Sequence, residues 1–283
     1  MDLVSELSPL DTLRVAQSRF AKVVKSRGAL NTVFGSFNML KTGSPWTDAR
    51  VRQAVNFAMN REDLIRYAAK GNGMIIPALI SAQEFGYDPA LAPYSFDPVE
   101  ARQLLHNVGY PNGLAVTVIA TQALEVQATV VSKMLEQVGF KVELQMLDPE
   151  AFNRKTYLSH LDQPAEQQGW DIALFPGGVN VENFPVFEVY HYFALDGPQD
   201  WVIEQPELRR LYEQVLQTVN REQQQGLIRQ MERHTSEHAY FLFLYNPIKL
   251  YAVNKAVEFV PYVSGVLKLD KISVTDQHWS VRK

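Results

Sequence analysis

The chain reads as an α/β domain, and three observations lead there. Between residues 114 and 147 a strand-type run, an amphipathic helix and a second strand-type run follow one another. Caps at Asp97-Pro98, Asp148-Pro149 and Asn220 open further helices on both sides. Tyr240 to Tyr245 is a run too apolar for a surface loop and reads as a buried strand.

Composition narrows the class. Lys and Arg number 27 and Asp and Glu 31, so the net charge is −4 over 283 residues. This mild acidity, without a basic stripe, speaks against a nucleic-acid partner. With 0 Cys there is no disulfide framework, no thiolate nucleophile and no Cys-ligated metal. No run of ~18 apolar residues is present to span a bilayer. Met1 to Glu6 has neither the basic start nor the apolar core of a signal peptide, and no Cys can carry a lipid anchor.

The elements follow in order. Leu10, Leu13, Val15 and Phe20 give a loose helical pattern; Lys22–Lys25 and Leu30–Phe37 are strand-type runs. Thr47 is a candidate N-cap for one helix running to about Gly71, with Val51, Ala54, Val55 and Ala58 on its apolar face. Residues 72–96 show no period and read as a long connection. Asp97 opens the next helix as a capping box, with Glu100 reaching back to it. Ala101, Leu104, Leu105 and Val108 form its stripe.

Leu114–Ala120, a helix with Ala128, Val131, Met134 and Leu135 facing inward, and Val142–Met146 make a βαβ unit, expected to be a right-handed parallel crossover. Asp148-Pro149 caps a helix to about Leu161. Trp170–Phe175 is a strand. Leu208, Leu211, Tyr212 and Val215 mark one late helix; Leu227, Ile228 and Met231 mark another, capped by Asn220. The tail from Tyr251 alternates short strand-type pieces with turns.

Most catalytic signatures are missing, including phosphate loops and nucleophile elbows. His234-Thr235-Ser236-Glu237-His238 has the H-x-x-E-H spacing of inverted zinc peptidases, which places both imidazoles on one helix face with a carboxylate beside them. The competing reading is a helix end, where histidines favour the last carbonyls. The segment after Phe175, with Gly177, Gly178, Asn180 and Asn183, follows a strand's carboxyl end, where open α/β sheets bind ligands. The glycines permit close backbone approach, and the two amides offer donors and acceptors.

Pro45-Trp46-Thr47-Asp48-Ala49-Arg50-Val51-Arg52-Gln53-Ala54-Val55-Asn56-Phe57-Ala58-Met59-Asn60-Arg61-Glu62-Asp63-Leu64-Ile65 resembles the central signature of the family 5 extracellular solute-binding proteins, which serve ABC importers of oligopeptides, dipeptides and nickel. Residues 96–105 with Gly109-Tyr110-Pro111-Asn112-Gly113, then 134–144, then 239–245 with 254–257, resemble further landmarks in the same order.

The resemblance implies a periplasmic-binding-protein type II-like lobe, with a parallel-containing mixed sheet flanked by helices. It covers the C-terminal half of such a protein: residues 1–36 would be a remnant of lobe 1 and the crossover, 37–253 lobe 2, and 254–283 a return toward lobe 1. It implies a non-enzymatic solute binder with no cofactor and no metal, periplasmic or at the cell surface. The partners would be a small solute, permease subunits and the missing first lobe. Ligand contacts would come from Phe175, Gly177, Gly178, Asn180 and Asn183. Peptide binders of the family carry a Trp and then an acid here; Phe175 and Gly178 stand in those places, which implies neutral, anionic or N-blocked solutes. The alternatives are a solute-sensing regulatory domain and, from another class, a zinc hydrolase built on His234, Glu237 and His238.

Overall fold

The computed structural model describes residues 2–281 apart from 27, 29, 158–162, 177–189, 191, 196, 204 and 264, and apart from the side chain of Tyr192. In chain order the elements are β1 (Leu3–Val4), α1 (Thr12–Ala16), β2 (Ala21–Lys25), β3 (Val33–Phe37), α2 (Ala49–Phe57), α3 (Arg61–Ala68) and β4 (Gly73–Ile75). Next come α4 (Pro98–Asn107), β5 (Ala115–Thr121), α5 (Glu125–Gln137), β6 (Lys141–Leu147), α6 (Pro149–Thr156) and β7 (Ile172–Phe175). The chain continues with α7 (Pro206–Gln217), α8 (Arg221–Glu237), β8 (Phe241–Pro247), β9 (Leu250–Asn254), β10 (Val257–Glu258) and β11 (Ser273–Val274).

The main sheet has the order β4-β8-β3-β7-β5-β6. It is mixed: β5 is parallel to β6 and β7, and β3 is antiparallel to β7 and β8. The parallel pairing of the βαβ unit is as expected, with β5 and β6 in register from Ala115↔Lys141 to Thr121↔Leu147. Ala128, Val131 and Leu135 of α5 are fully buried against this sheet, while Lys141 and Glu143 on the edge strand stay exposed. Central β3 and β8 have lost their alternation because both of their faces are covered. At Gly35 the Leu174 and Leu242 side chains close in from the two neighbouring strands, so that a Cβ would sit 3.1 Å from each.

A second, three-stranded sheet has the order β1-β9-β2, with the β10–β11 ribbon beside it. It has an apolar cluster of its own, centred on Tyr251, Val253 and Val257. The chain passes between the two sheets through residues 26–32 and 248–249. These crossings are tied together: Ser26 N–H donates to the Lys249 carbonyl at 2.9 Å, and Asn246 Nδ2 donates to the Asn31 carbonyl and to Thr32 Oγ1, both at 2.8 Å.

The expected single helix from Thr47 to Gly71 is two helices. Thr47 closes a 3-10 turn, with its hydroxyl on the Ser44 carbonyl, and the N-cap is Asp48, whose carboxylate accepts the Arg50 N–H at 2.9 Å. After Phe57 the chain breaks, and Asn60 caps α3 by accepting the Asp63 N–H at 3.0 Å. The Arg61 guanidinium enters the break and donates to the Asn56 carbonyl, which also accepts the Met59 N–H at 3.3 Å, and to the Met59 carbonyl just beyond α2.

Within the connection expected to be irregular, Gly73–Ile75 pairs with β8 as an edge strand too short to show a period. Asp97 caps α4 through the Val99 and Glu100 amides, but no return bond from Glu100 forms. The Asp97 N–H instead donates to the Phe57 carbonyl at 2.9 Å, locking α4 to α2. Asp97→Ala is therefore expected to lower stability by about 1 kcal/mol, read as a lower urea midpoint at unchanged slope.

Candidate ligand-binding edge

The ligand-binding expectation rests on the carboxyl edge of the main sheet. β5 and β7 are parallel, and β8 shares their direction because both β7 and β8 are antiparallel to β3. Thr121, Phe175 and Pro247 therefore end their strands at one edge, where Val33 begins β3. Both crossings leave from this edge, so the small sheet lies beyond it. A groove of about 340 Å³ opens there, lined from the small-sheet side by Leu7, Leu10 and Leu250 and from the main body by Tyr67, Gln127 and Tyr245. Gln127 Nε2 donates to the Tyr245 hydroxyl across its wall at 3.0 Å. Grooves of about 620 and 550 Å³ lie at the opposite edge, around Gly113 and Gly139 and around Thr117 and Asp171. In open α/β sheets it is the carboxyl edge that meets ligand.

Of the sequence-derived site residues, Gly177, Gly178, Asn180 and Asn183 lie outside the described residues. Phe175 ends β7 as expected and is 4% exposed. Its ring stacks on Phe34 with centroids 5.3 Å apart and meets Phe152 and Phe193 edge-on, each at 5.3 Å. The ring thus braces the base of the segment that follows it.

Sequence reasoning passed over one feature of this edge. Glu232, on α8 beside the apolar stripe, is 2% exposed. Its carboxylate accepts a short hydrogen bond from the Tyr190 hydroxyl and a 3.0 Å bond from the Ile80 N–H. The neighbouring Leu79 carbonyl accepts from Thr32 Oγ1, at the entry to β3. Nothing local distinguishes Glu232 from the exposed glutamates of the same helix. Only the long-range approach of Tyr190 and Ile80 does.

The H-x-x-E-H side chains are engaged in holding the end of α8. His234 Nε2 meets the Tyr240 hydroxyl at 3.0 Å, and that hydroxyl donates to Gln205 Oε1 at 2.7 Å, so the imidazole is the donor. His238 Nδ1 lies 2.9 Å from the His234 carbonyl, and Glu237 is exposed. Burial, then the adjacent His238, pushes the His234 pKa down, which keeps that ring neutral at neutral pH. Among the described residues no three His, Cys, Asp or Glu side chains gather where they could hold a metal ion.

Comparison with known proteins agrees with this architecture. Residues 1–199 match the family model described as bacterial extracellular solute-binding proteins, family 5 Middle. The glutathione-binding protein GsiB of Escherichia coli K12 is 32% identical over 119 residues, covering 39% of this chain and 22% of GsiB. The periplasmic binding protein DppA of Helicobacter pylori, solved with the peptide STSA, superposes with a TM-score of 0.80 at 17% identity, over 97% of this chain and 52% of that one. The oligopeptide-binding protein AppA of Bacillus subtilis, solved with a nonapeptide, gives 0.80 at 18% identity, over 97% and 56%. The chain thus spans about half the length of the solved proteins it matches. Its fold is that of a periplasmic-binding-protein type II-like lobe, and the chain belongs to the family 5 bacterial extracellular solute-binding proteins.

Proposed function

We propose that this chain is a C-terminal part, or a half-length relative, of the solute-capturing component of an ABC importer, acts outside the cytoplasm without catalysis, and takes peptide-like small solutes. The observation that carries the reading is the carboxyl edge of the main sheet, turned toward a small sheet across two linked crossings. Such an arrangement lets two bodies close on a ligand about a hinge. The solutes named for the similar proteins, glutathione and short peptides, support the solute class.

A further lobe would cover the small sheet and complete the pocket. In support, Leu10, Leu13 and Phe20 are 68%, 68% and 78% exposed, and Val260, Leu269 and Trp279 are 70%, 73% and 71% exposed, all on that side of the crossings. Apolar exposure of this density marks a surface that meets another one. The closed whole would then dock on permease subunits. Gly177, Gly178, Asn180 and Asn183 remain the proposed ligand contacts, on the strength of their place after β7, with Phe175, whose ring packs on Phe34, Phe152 and Phe193, as the support beneath them.

The test is calorimetry of this chain with paired probes: a dipeptide with a free amine and the same dipeptide N-acetylated. Half a pocket binds weakly, so millimolar affinity is the expected scale. The acetylated probe is expected to bind more tightly, because a buried ammonium would find no counter-charge at Gly178. Asn180→Ala should weaken both. Tighter binding of the free amine, or no effect of Asn180→Ala, would place the pocket elsewhere.

A further inference from the structure

Glu232 is a carboxylate sealed inside the lobe, with Tyr190 on one oxygen and the Ile80 amide on the other. Other acids stand near it. Glu84 and Asp88, from the connection between β4 and α4, both act on it electrostatically. Glu84 is half-buried and accepts the Ser81 N–H at 2.6 Å. The nearby cations serve other groups: Arg233 pairs with Asp88 at 2.6 Å, and Arg229 donates to the Tyr87 carbonyl. Among the described residues neither Glu84 nor Glu232 has a hydrogen-bonded cation.

The position matters as much as the charge. Glu232 holds Ile80, and Leu79 beside it holds Thr32. Thr32 in turn is gripped by Asn246 at the end of β8. Both crossings between the two sheets therefore hang on one hydrogen-bonded chain that ends at a buried carboxylate. Among the described residues the chain joins the two sheets at 26–32 and 248–249, the place for a hinge between them.

We infer that Glu232, with Glu84 beside it, is a proton-operated clamp on this hinge: proton uptake tightens the hold of α8 on both crossings, and proton loss loosens it. A neutral Glu232 keeps both contacts, each weaker than to the carboxylate, and burial outweighs that loss. One oxygen still accepts from Ile80 N–H, and the other, now a hydroxyl, still meets the Tyr190 hydroxyl. What disappears is the repulsion from Glu84 and Asp88 and the penalty for a buried charge. Asp88 stays ionised, because the Arg233 hydrogen bond, the Ala90 amide and the charges of Arg233 and Arg229 outweigh its burial. Burial pushes Glu232 and Glu84 up to about 7 each, so the clamp works near neutrality. The sign follows from linkage. A carboxyl raised above its unfolded value binds its proton first in the folded state. Its cost is then full above about pH 7 and is relieved as the pH falls toward the ordinary carboxylate range. The inference does not depend on which solute the chain captures.

Amide hydrogen exchange of this chain at pH 8 and pH 6, corrected for the intrinsic rate, tests it. Protection at residues 30–33, 78–81 and 246–249 is expected to rise about tenfold on acidification, the equivalent of one pKa unit. Residues 115–147 are expected to respond less. In Glu232→Gln, where an amide replaces the neutral acid, protection should already be high at pH 8 and the rise to pH 6 clearly smaller, with Glu84 alone still titrating. Glu84→Gln should keep the response but move its midpoint to lower pH, since a like charge is gone. No rise in the parent chain, an equal rise in Glu232→Gln, or an equal rise across 115–147 would overturn the clamp. Should Glu232→Gln fail to fold, an unshifted midpoint in Glu84→Gln would overturn it alone.

Discussion

Arg61→Ala is expected to leave little folded protein. Arg61 is 2% exposed and lies where three segments meet. Its Nε donates to the Phe243 carbonyl at 2.7 Å, its Nη1 to the Asn56, Met59 and Tyr94 carbonyls at 3.1, 3.3 and 3.1 Å, and its Nη2 to Asn56 Oδ1 at 3.0 Å. No carboxylate is among these partners. Desolvation pushes the guanidinium down to about 10, still well above neutral pH, so the charge persists and is solvated by oxygen dipoles of the protein. Alanine removes the guanidinium from the buried carbonyls of β8 and the connection, each at about 1–3 kcal/mol, and leaves a cavity as well; the Asn56 carbonyl keeps the Met59 N–H. A loss of roughly 5 kcal/mol or more is then expected, a large share of the 5–15 kcal/mol that holds a domain folded. Arg61→Lys keeps the charge but not the planar fork, and should fall between. A urea midpoint for Arg61→Ala close to that of the parent would show that these bonds contribute little.

Arg61 also marks the border of what the sequence reveals. The stripes of α4, α5 and α7 were legible because burial there repeats every three to four residues, and the caps at Asp97, Asp148 and Asn220 because the donors they serve lie within three residues. The parallel β5–β6 pair was legible because a strand, a helix and a strand leave few other topologies. Long-range pairing carried no such mark. β3 is placed between β7 and β8 by partners more than 130 residues away, and β1, β4, β10 and β11 are too short for any pattern. Buried charges were the least legible of all: Arg61 and Glu232 look like surface residues until the carbonyls, the hydroxyl and the amide that surround them arrive from distant segments. The same holds for the site. The place of Phe175 at a strand end could be read locally, but the aromatic bracing by Phe34, Phe152 and Phe193 could not.

Two glycines that look alike in sequence should part sharply when each is changed to alanine. Gly109 and Gly113 flank the turn between α4 and β5, and both have positive φ, +94° and +87°. An L-residue at such a φ costs about 1–2 kcal/mol. At Gly109 an added Cβ meets nothing within 4 Å, so Gly109→Ala should show little beyond that term. At Gly113 the same Cβ would fall 1.9 Å from the Gly139 carbonyl oxygen, which is backbone and cannot rotate away. Gly139 closes α5 just before β6, and the Lys141 N–H donates to the Leu114 carbonyl at 2.9 Å directly beside the contact. Relief of the clash must push the starts of β5 and β6 apart, straining the first rungs of the parallel pair at Ala115↔Lys141. Gly113→Ala is therefore expected to cost about 3–5 kcal/mol, strain plus overpacking. Chemical denaturation of both variants at equal slope reads the difference. Equal losses would mean that backbone conformation alone, and not the approach of the two turns, fixes this end of the sheet.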